Sequence, residues 1–213
     1  MKPDSLIFDL DGTLWDTTEP CARAWNLGLE RFGISSRKIT SADIASVTGL
    51  PYDKCVAVIF PDISQHDLLR LVDQLNAADK EIILAEGGRL YDGVAKGLVE
   101  LGQRFPLFLV SNCQAWYLDW FLSWSKLKSV FQDYESYGNT GKPKADNITA
   151  IKKRNRLFCP VYIGDTVNDY EAALKAEVAF IHLDHGFGSP VDAVLSLSDF
   201  EGLVRYLLSP SLA

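Results

Sequence analysis

Cysteine is scarce in this sequence, and the cysteines that are present lie far apart. The four are Cys21, Cys55, Cys113 and Cys159, and no two of them form a Cys-x-x-Cys pair. A zinc knuckle or a dithiol redox motif needs closely spaced thiols, so both kinds of site are disfavoured. We expect the thiols to be reduced and the protein to be cytoplasmic.

Basic residues and long apolar runs are also in short supply. Lys and Arg number 21 against 28 Asp and Glu, which gives a formal net charge of -7. An acidic balance disfavours nucleic acid or an anionic membrane as the main partner. The first apolar run starts at Ser5 and is too short for a signal peptide or a membrane span, so we expect a soluble protein with no membrane partner.

The apolar residues occur in short runs that predict a layered α/β core. The chain has 213 residues and is 47% hydrophobic, which is enough for one domain with an insertion. Short apolar runs that end in polar residues or glycine are typical of buried parallel strands. Because helical patterns separate these runs, the fold class is predicted to be α/β with a doubly wound parallel sheet. The predicted strands are 5–10, 107–111, 161–164, 178–183 and 193–197, and the predicted helices between them are 94–104, 145–156 and 170–176.

The segment 16–88 has a different pattern, with helical periodicity and no strong strand. We predict that it forms an all-helical cap domain, inserted into a core domain made of residues 1–15 and 89–213. Gly33 is predicted to end the first cap helix. Since the insertion begins just after the first strand, we expect it to act as a lid at that strand end. The predicted cap helices are 22–32, 41–48 and 66–86.

Two acidic motifs follow predicted strands. In the first, Asp9 and Asp11 are two residues apart, so they project to the same side as the strand opens into a loop at Gly12. In the second, Asp165 and Asp169 lie about one helical turn apart at the start of a helix. Carboxylates that meet in one crevice repel each other, and a bound dication removes that penalty. A donor set made of oxygen atoms favours Mg²⁺ over zinc.

A hydroxyl residue and a lysine lie between the two acidic motifs. Ser111 ends a predicted strand and can donate a hydrogen bond to a phosphoryl oxygen. Lys142 precedes a predicted helix and could balance charge on the carboxylates and on a phosphate. Lys144 is a rival for this role, because spacing alone does not separate the two lysines.

These motifs, in this order, resemble those of the haloacid dehalogenase superfamily. The resemblance covers nearly the whole chain, and the helical insertion places it beside the branch of phosphoglycolate phosphatase-like and β-phosphoglucomutase-like proteins. Glu177 is a departure, since relatives usually have a helix-ending glycine there. The segments that carry the resemblance are Phe8-Asp9-Leu10-Asp11-Gly12-Thr13-Leu14, Val110-Ser111-Asn112, Gly141-Lys142-Pro143 and Ile163-Gly164-Asp165-Thr166-Val167-Asn168-Asp169.

The resemblance implies a Mg²⁺-dependent phosphatase that acts on a small phosphorylated metabolite. Asp9 would attack phosphorus to form an aspartyl-phosphate, and Asp11 would protonate the leaving oxygen and then deprotonate water. The implied metal-binding residues are Asp9, Asp11 through its backbone carbonyl, Asp165 and Asp169, the last directly or in the outer shell. The implied substrate-binding residues are Thr13, Ser111, Asn112 and Lys142.

Two other functions share these residues. A phosphosugar mutase of the same superfamily would pass the phosphoryl group to a sugar instead of to water. A phosphorylatable or regulatory module would carry the acidic residues without turnover, although the complete acidic set argues against this.

One aromatic-rich segment and one histidine have no role in the predicted chemistry. Trp116, Trp120 and Trp124 recur every four residues on a predicted helix that is apolar around most of its circumference. We therefore expect this helix to have a second contact, with the cap domain or with another subunit in a homodimer. His185 follows a predicted strand and could approach the rim of the site.

Overall fold

The structure is a computed structural model that describes residues 3–34, 36–189 and 195–209. The chain divides into two compact units, a core unit of Met1–Trp15 with Leu90–Ala213 and an inserted unit of Asp16–Arg89. The sequence places the insertion at 16–88, so the structural boundary lies one residue further along. Among the helices of these described ranges, none is long and apolar enough to span a membrane.

The core unit is built around a parallel sheet of six strands. The strands of the chain are β1 (Ser5–Phe8), β2 (Trp15–Asp16), β3 (Arg89–Leu90), β4 (Leu107–Ser111), β5 (Phe131–Ser136), β6 (Pro160–Gly164), β7 (Ala179–Leu183) and β8 (Leu195–Leu197). The sheet order is β5-β4-β1-β6-β7-β8, and every neighbouring pair is parallel. β2 and β3 pair separately as a short ribbon at the junction with the inserted unit. The predicted doubly wound α/β fold with a helical insertion is confirmed.

Helices alternate with the strands of the core unit and make up the inserted unit. The helices are α1 (Thr18–Phe32), α2 (Ser41–Val47), α3 (Tyr52–Ile59), α4 (Gln65–Glu86), α5 (Val94–Gly102), α6 (Ala115–Trp124), α7 (Tyr137–Thr140), α8 (Lys144–Arg154), α9 (Val167–Lys175) and α10 (Phe200–Leu207). The sequence predicts seven of them, with shifts of a few residues at the ends, and misses α3, α7 and α10.

β1 is buried on both faces, which explains its continuous apolar run. All four of its residues are fully buried. Ile7 belongs to a cluster that includes Ile148 of α8 and Ala173 of α9. Phe8 points to the other face, where its ring lies 5.9 Å from that of Phe200 in α10. Since helices cover both faces, polar groups occur mainly at the strand ends.

The longest strand outside the predictions is β5, and the two-residue strands β2 and β3 also fall outside them. β5 is a polar edge strand that pairs with β4, and the sequence has no alternating apolar pattern there. Its acidic residues Asp133 and Glu135 are paired with Arg154 of α8 at 2.6 and 2.8 Å. β8 begins at Leu195, and residues 193–194 of the predicted strand lie outside the described residues.

The inserted unit has its own apolar core. α1 packs along α4, and the buried residues between the helices include Trp25, Leu29, Leu71 and Leu75. α1 ends at Gly33, whose φ of 91° places it in the left-handed region, so the predicted helix end is confirmed.

Candidate active site

Three adjacent strands bring the predicted chemical groups to one edge of the sheet. Asp9 follows β1, Ser111 is the last residue of β4, and Asp165 follows β6. β1 is paired with both β4 and β6, and the register places Phe8 beside Leu109 and Ile163. Because carboxyl ends of neighbouring parallel strands meet at one edge, the three side chains converge.

The acidic residues form a compact, buried cluster. Oxygen atoms of Asp9, Asp165 and Asp169 all lie within 4.8 Å of one another. None of these residues is more than 1% exposed. Burial, reinforced by the neighbouring charge of Asp169, raises the pKa of both Asp9 and Asp165 to about 7. Such a cluster needs a positive charge to remain ionised at neutral pH.

Lys144, the first residue of α8, supplies one such charge from within the cluster. Its Nζ lies 2.6 Å from Asp169 Oδ1 and 2.9 Å from Asp9 Oδ1, and only 3% of its side chain is exposed. Burial by itself lowers the pKa of Lys144, but the charges of Asp169 and Asp9 outweigh it, so the pKa lies above its ordinary value. The ammonium group is therefore charged.

Lys142 does not lie in the cluster. Its side chain is exposed, and its backbone N–H and carbonyl bond to Thr140 and Asn147. The structure thus corrects the sequence interpretation that gave Lys142 the site position and kept Lys144 as its rival. The physical reason is that α8 starts after Pro143, which turns only the second lysine towards the sheet edge.

Asp169 is held by its own helix. Thr166 caps α9, and Asp169 Oδ2 accepts hydrogen bonds from the Thr166 hydroxyl at 2.6 Å and from its backbone N–H at 3.0 Å. The other oxygen, Oδ1, is paired with Lys144. This capping box fixes the carboxylate, which in turn fixes the lysine.

Asp165 lies in a tight backbone cradle. Its Oδ1 accepts from the Thr13 hydroxyl at 3.0 Å, and its Oδ2 accepts from the Phe187 N–H at 2.7 Å. A Cβ atom added at Gly12 or Gly186 would lie 2.2 or 2.3 Å from Asp165 Oδ2. Glycine is therefore required at both positions for the loops to close around this carboxylate.

Asp11 differs from the clustered aspartates because two aromatic side chains donate hydrogen bonds to its carboxyl group. Trp15 Nε1 donates to Asp11 Oδ1 at 3.1 Å, and the Tyr117 hydroxyl donates to the same oxygen at 2.5 Å. Burial raises the pKa of Asp11 to about 7, although the hydrogen bond from Tyr117 opposes the rise. A carboxyl group with this pKa can give up or take a proton near neutral pH.

The remaining predicted residues surround these groups. Ser111 is buried, and its Oγ accepts from the Cys113 N–H at 3.3 Å. Asn112 is half-buried at the next position. Thr13 is buried, with its hydroxyl proton donated to Asp165. His185 stacks on Tyr91 and donates from Nε2 to the Thr13 carbonyl at 3.1 Å.

The donor set fits a hard divalent cation. Asp9 and Asp165 offer carboxylate oxygens close together and shielded from water, with no thiol or imidazole in the acidic cluster of the described residues. Oxygen ligands of this kind suit Mg²⁺. Asp169 already bonds to Thr166 and Lys144, which is consistent with an outer position.

Several contributors could not be identified from the sequence. Tyr117 and Trp15 hold Asp11, and the Phe187 N–H bonds to Asp165. His182, buried in β7, donates from Nε2 to the backbone carbonyl of Asp165 at 2.9 Å. The only signal was the Gly186-Phe187-Gly188 run after a strand, because paired glycines indicate close backbone approach.

Comparison with protein families gives a match over most of the chain. A family model described as haloacid dehalogenase-like hydrolase matches residues 6–183. Among curated proteins, no significant match is found.

Solved structures share the fold at low sequence identity. A predicted phosphatase from Clostridium acetobutylicum is 21% identical, with a TM-score of 0.82, and the match covers 98% of this chain and 99% of that one. A haloacid dehalogenase-like family hydrolase from Streptococcus pneumoniae is 20% identical, with a TM-score of 0.83 and coverage of 96% and 98%. A predicted phosphoglycolate phosphatase from Haemophilus somnus 129pt is 18% identical, with a TM-score of 0.84 and coverage of 97% and 98%.

Proposed function

Because the chain belongs to the haloacid dehalogenase-like hydrolases, we propose that it is a Mg²⁺-dependent phosphatase that hydrolyses a small-molecule phosphate monoester. The observation that carries the proposal is the placement of Asp9, Lys144 and Asp165 in one buried cluster at the strand ends, with Asp11 beside it. In this proposal Asp9 is the nucleophile and Asp11 is the proton carrier. Positive charge comes from Lys144 and from a metal ion that Asp9 and Asp165 would hold.

In the first step, a carboxylate oxygen of Asp9 attacks phosphorus while the bond to the ester oxygen breaks. Asp11, in its protonated form, gives its proton to the leaving oxygen, so that an alcohol departs. The phosphoryl group is then an acyl phosphate on Asp9. Ser111 would donate its hydroxyl to a phosphoryl oxygen, and its position at the end of the strand next to β1 supports this role.

In the second step, water attacks the phosphorus of the acyl phosphate. Asp11, now ionised, takes a proton from that water as the new bond forms, and the bond to Asp9 breaks. Inorganic phosphate leaves, and both carboxyl groups return to their starting states.

Charge balance is divided between Lys144 and the metal. Lys144 neutralises part of the cluster and holds Asp9 through the 2.9 Å contact to its Oδ1. Asp9 and Asp165 would hold Mg²⁺, with Asp169 in the outer position. When bound, the ion neutralises the negative charge of the transferring phosphoryl group.

The test is hydrolysis of a panel of phosphate monoesters with Mg²⁺ by the wild-type chain and by Asp9→Asn. The amide is nearly isosteric but cannot act as nucleophile, so we expect a loss of several orders of magnitude in kcat. The enzyme should phosphorylate itself on Asp9, and that acyl phosphate should be absent from the variant by intact mass. Retention of more than about a tenth of wild-type activity, a loss of only ~1.4 kcal/mol in barrier terms, would rule out Asp9 as nucleophile.

The same panel of esters tests whether Mg²⁺ is required and whether water or a sugar accepts the phosphoryl group. Activity should disappear in EDTA and return with Mg²⁺, and Ca²⁺ should not replace it, because Ca²⁺ prefers more ligands at longer distances. Full activity in metal-free protein would refute the metal assignment. Release of inorganic phosphate separates a phosphatase from a mutase, which would return an isomeric sugar phosphate.

A further inference from the structure

One oxygen of Asp11 is occupied by two donors from outside the acidic motif. The Tyr117 hydroxyl of α6 donates to Asp11 Oδ1 at 2.5 Å, and Trp15 Nε1 donates to the same atom at 3.1 Å. Trp15 is fully buried and Tyr117 is 6% exposed. All three residues belong to the core unit.

An aromatic cluster fixes these two donors. The Trp15 ring contacts those of Tyr117, Phe121 and Trp124 of α6, at centroid distances of 5.2, 5.0 and 5.5 Å. Edge and tilted ring contacts of this kind restrict rotation of each ring. The backbone also contributes, since Gly12 N–H donates to the Trp15 carbonyl at 3.0 Å. The donors therefore hold fixed positions, and their bonds to Oδ1 fix the orientation of the Asp11 carboxyl group.

We infer that Tyr117 and Trp15 are positioning residues that hold Asp11 by Oδ1 and leave Oδ2 as the oxygen that exchanges the proton. The inference rests on the proposed function, in which Asp11 is the proton carrier. An oxygen that accepts two hydrogen bonds has little capacity left for a transferred proton. Oδ2 accepts no hydrogen bond from the described residues, so it keeps both of its lone pairs for this purpose.

This assignment gives α6 a role in addition to packing. The helix follows the Ser111-Asn112 segment, so Ser111 and the residue that orients the acid belong to one continuous stretch of chain. A misplacement of about 1 Å in a reacting group can lower a rate by about 100-fold, so the loss of an orienting bond should be visible in the chemical steps.

The role predicts a dependence on the leaving group. An alkyl phosphate releases a strongly basic alkoxide, which needs the proton from Asp11. A 2,4-dinitrophenyl phosphate releases a stable phenolate that departs without a proton. Disorientation of Asp11 should therefore slow the first reaction and leave formation of the phosphoryl-enzyme from the second unchanged.

The experiment compares the wild type with Tyr117→Phe, Asp11→Asn and the control Tyr206→Phe, which removes the same hydroxyl from an exposed position in α10. Steady-state kinetics use a simple alkyl phosphate, and rapid mixing measures the dinitrophenolate burst. We expect Tyr117→Phe to lower kcat for the alkyl ester by about 10- to 100-fold, with KM within about twofold. Its burst rate should match the wild type, and Tyr206→Phe should match the wild type throughout.

The outcomes are distinguishable. An unchanged kcat on the alkyl ester, or an equal loss in both assays, would overturn the positioning role. If Asp11→Asn itself turns over the alkyl ester normally, Asp11 is not the proton carrier and the inference fails. Absence of Asp9-dependent phosphate release from the wild type would instead refute the proposed function. Trp15→Phe, which removes the second donor but keeps a ring, should show the same leaving-group signature and serves if Tyr117→Phe does not fold.

Discussion

Lys144 carries a positive charge that is almost completely removed from water. A buried ammonium group is tolerated only when it is paired, and here it contacts both Asp9 and Asp169. Removing the charge would leave these carboxylates uncompensated, while the nearby Lys142 is solvated. The two lysines therefore have different environments, although they lie only two residues apart in the sequence.

We predict that Lys144→Met lowers kcat by about 10²- to 10³-fold, in line with the loss of one preorganised electrostatic contact. Methionine keeps the apolar stem but not the charge. Lys142→Met is the matched control and should stay within about twofold of wild type on the same substrate. Equal effects of the two substitutions on kcat, with folding checked by circular dichroism, would contradict the assignment of the site lysine.

At the scale of elements, α1 and α9 end in the same way but with different residues. Each helix closes with a pair of backbone bonds around one left-handed residue, which is Gly33 in α1 and Glu177 in α9. The φ of Glu177 is 54°. A residue with a Cβ atom adopts this region at a cost of about 1–2 kcal/mol, which glycine avoids.

Glu177→Gly should therefore stabilise the protein. After allowance for the extra entropy of glycine in the unfolded chain, we expect a gain of about 1 kcal/mol in the free energy of unfolding. Urea denaturation measures it, and Glu177→Ala is the control because it removes the side chain but keeps the backbone strain. If Glu177→Ala stabilises the protein as much as Glu177→Gly, the gain comes from loss of the Glu177 side chain and not from relief of backbone strain.

A second element-scale feature is a carboxyl group buried among the helices of the inserted unit. Asp79 of α4 is 2% exposed, and its Oδ2 accepts from Trp25 Nε1 at 3.2 Å and from the Tyr52 hydroxyl. Within the described part of the chain, its Oδ1 has no hydrogen-bond partner. Burial raises the pKa of Asp79 to about 7, against the opposing effect of these hydrogen bonds.

The pH dependence of stability follows from that pKa. Between about pH 4 and 7 the folded state keeps a proton that the unfolded state has released, so the free energy of unfolding falls as pH rises, by at most about 1.4 kcal/mol per pH unit. Asp79→Asn should remove this contribution and gain stability relative to wild type from pH 5 to pH 7, on the order of 2 kcal/mol. Asp73→Asn, at an exposed site on α4, is the control. A difference in unfolding free energy that does not change with pH would show that Asp79 is ionised in the folded state.

At the scale of the whole molecule, net charge bears on the substrate. The formal charge is -7, so long polyanions are repelled on approach, while a small phosphate ester needs only the local positive charge at the site. We predict a preference in kcat/KM for small organic phosphates over phosphopeptides and oligonucleotide 5′-phosphates. The comparison should be made at two ionic strengths, because salt screens the repulsion. A clear preference for either macromolecular class would contradict the prediction of a small metabolite.

The homodimer remains a prediction from the aromatic helix. In the structure the buried residues of α6 are Tyr117, Leu118, Phe121 and Leu122. Trp116, Trp120 and Trp124 are half-buried, so the tryptophan face is partly accessible in the single chain. Sedimentation at several protein concentrations would test whether a second subunit covers it.

The sequence by itself determined the fold class and the position of the acidic residues, because both depend on local pattern. A short apolar run that then turns polar is typical of a central strand with its end at the crevice, which is the case for the strands before Asp9 and Asp165. Side chains two residues apart on a strand point to the same face, so the common direction of Asp9 and Asp11 follows without knowledge of long-range contacts.

Only the tertiary structure decided which lysine and which hydroxyl group lie at the site, and which segment forms the edge strand next to β4. Lys144 and Tyr117 reach the site only because of where α8 and α6 lie in the folded chain, and no local pattern encodes those positions. β5 is a polar segment that becomes a strand because β4 offers it backbone partners and Arg154 pairs with its acidic side chains. Contacts between residues that are distant in sequence depend on packing of the whole core. No local sequence pattern therefore predicts any one of these contacts by itself.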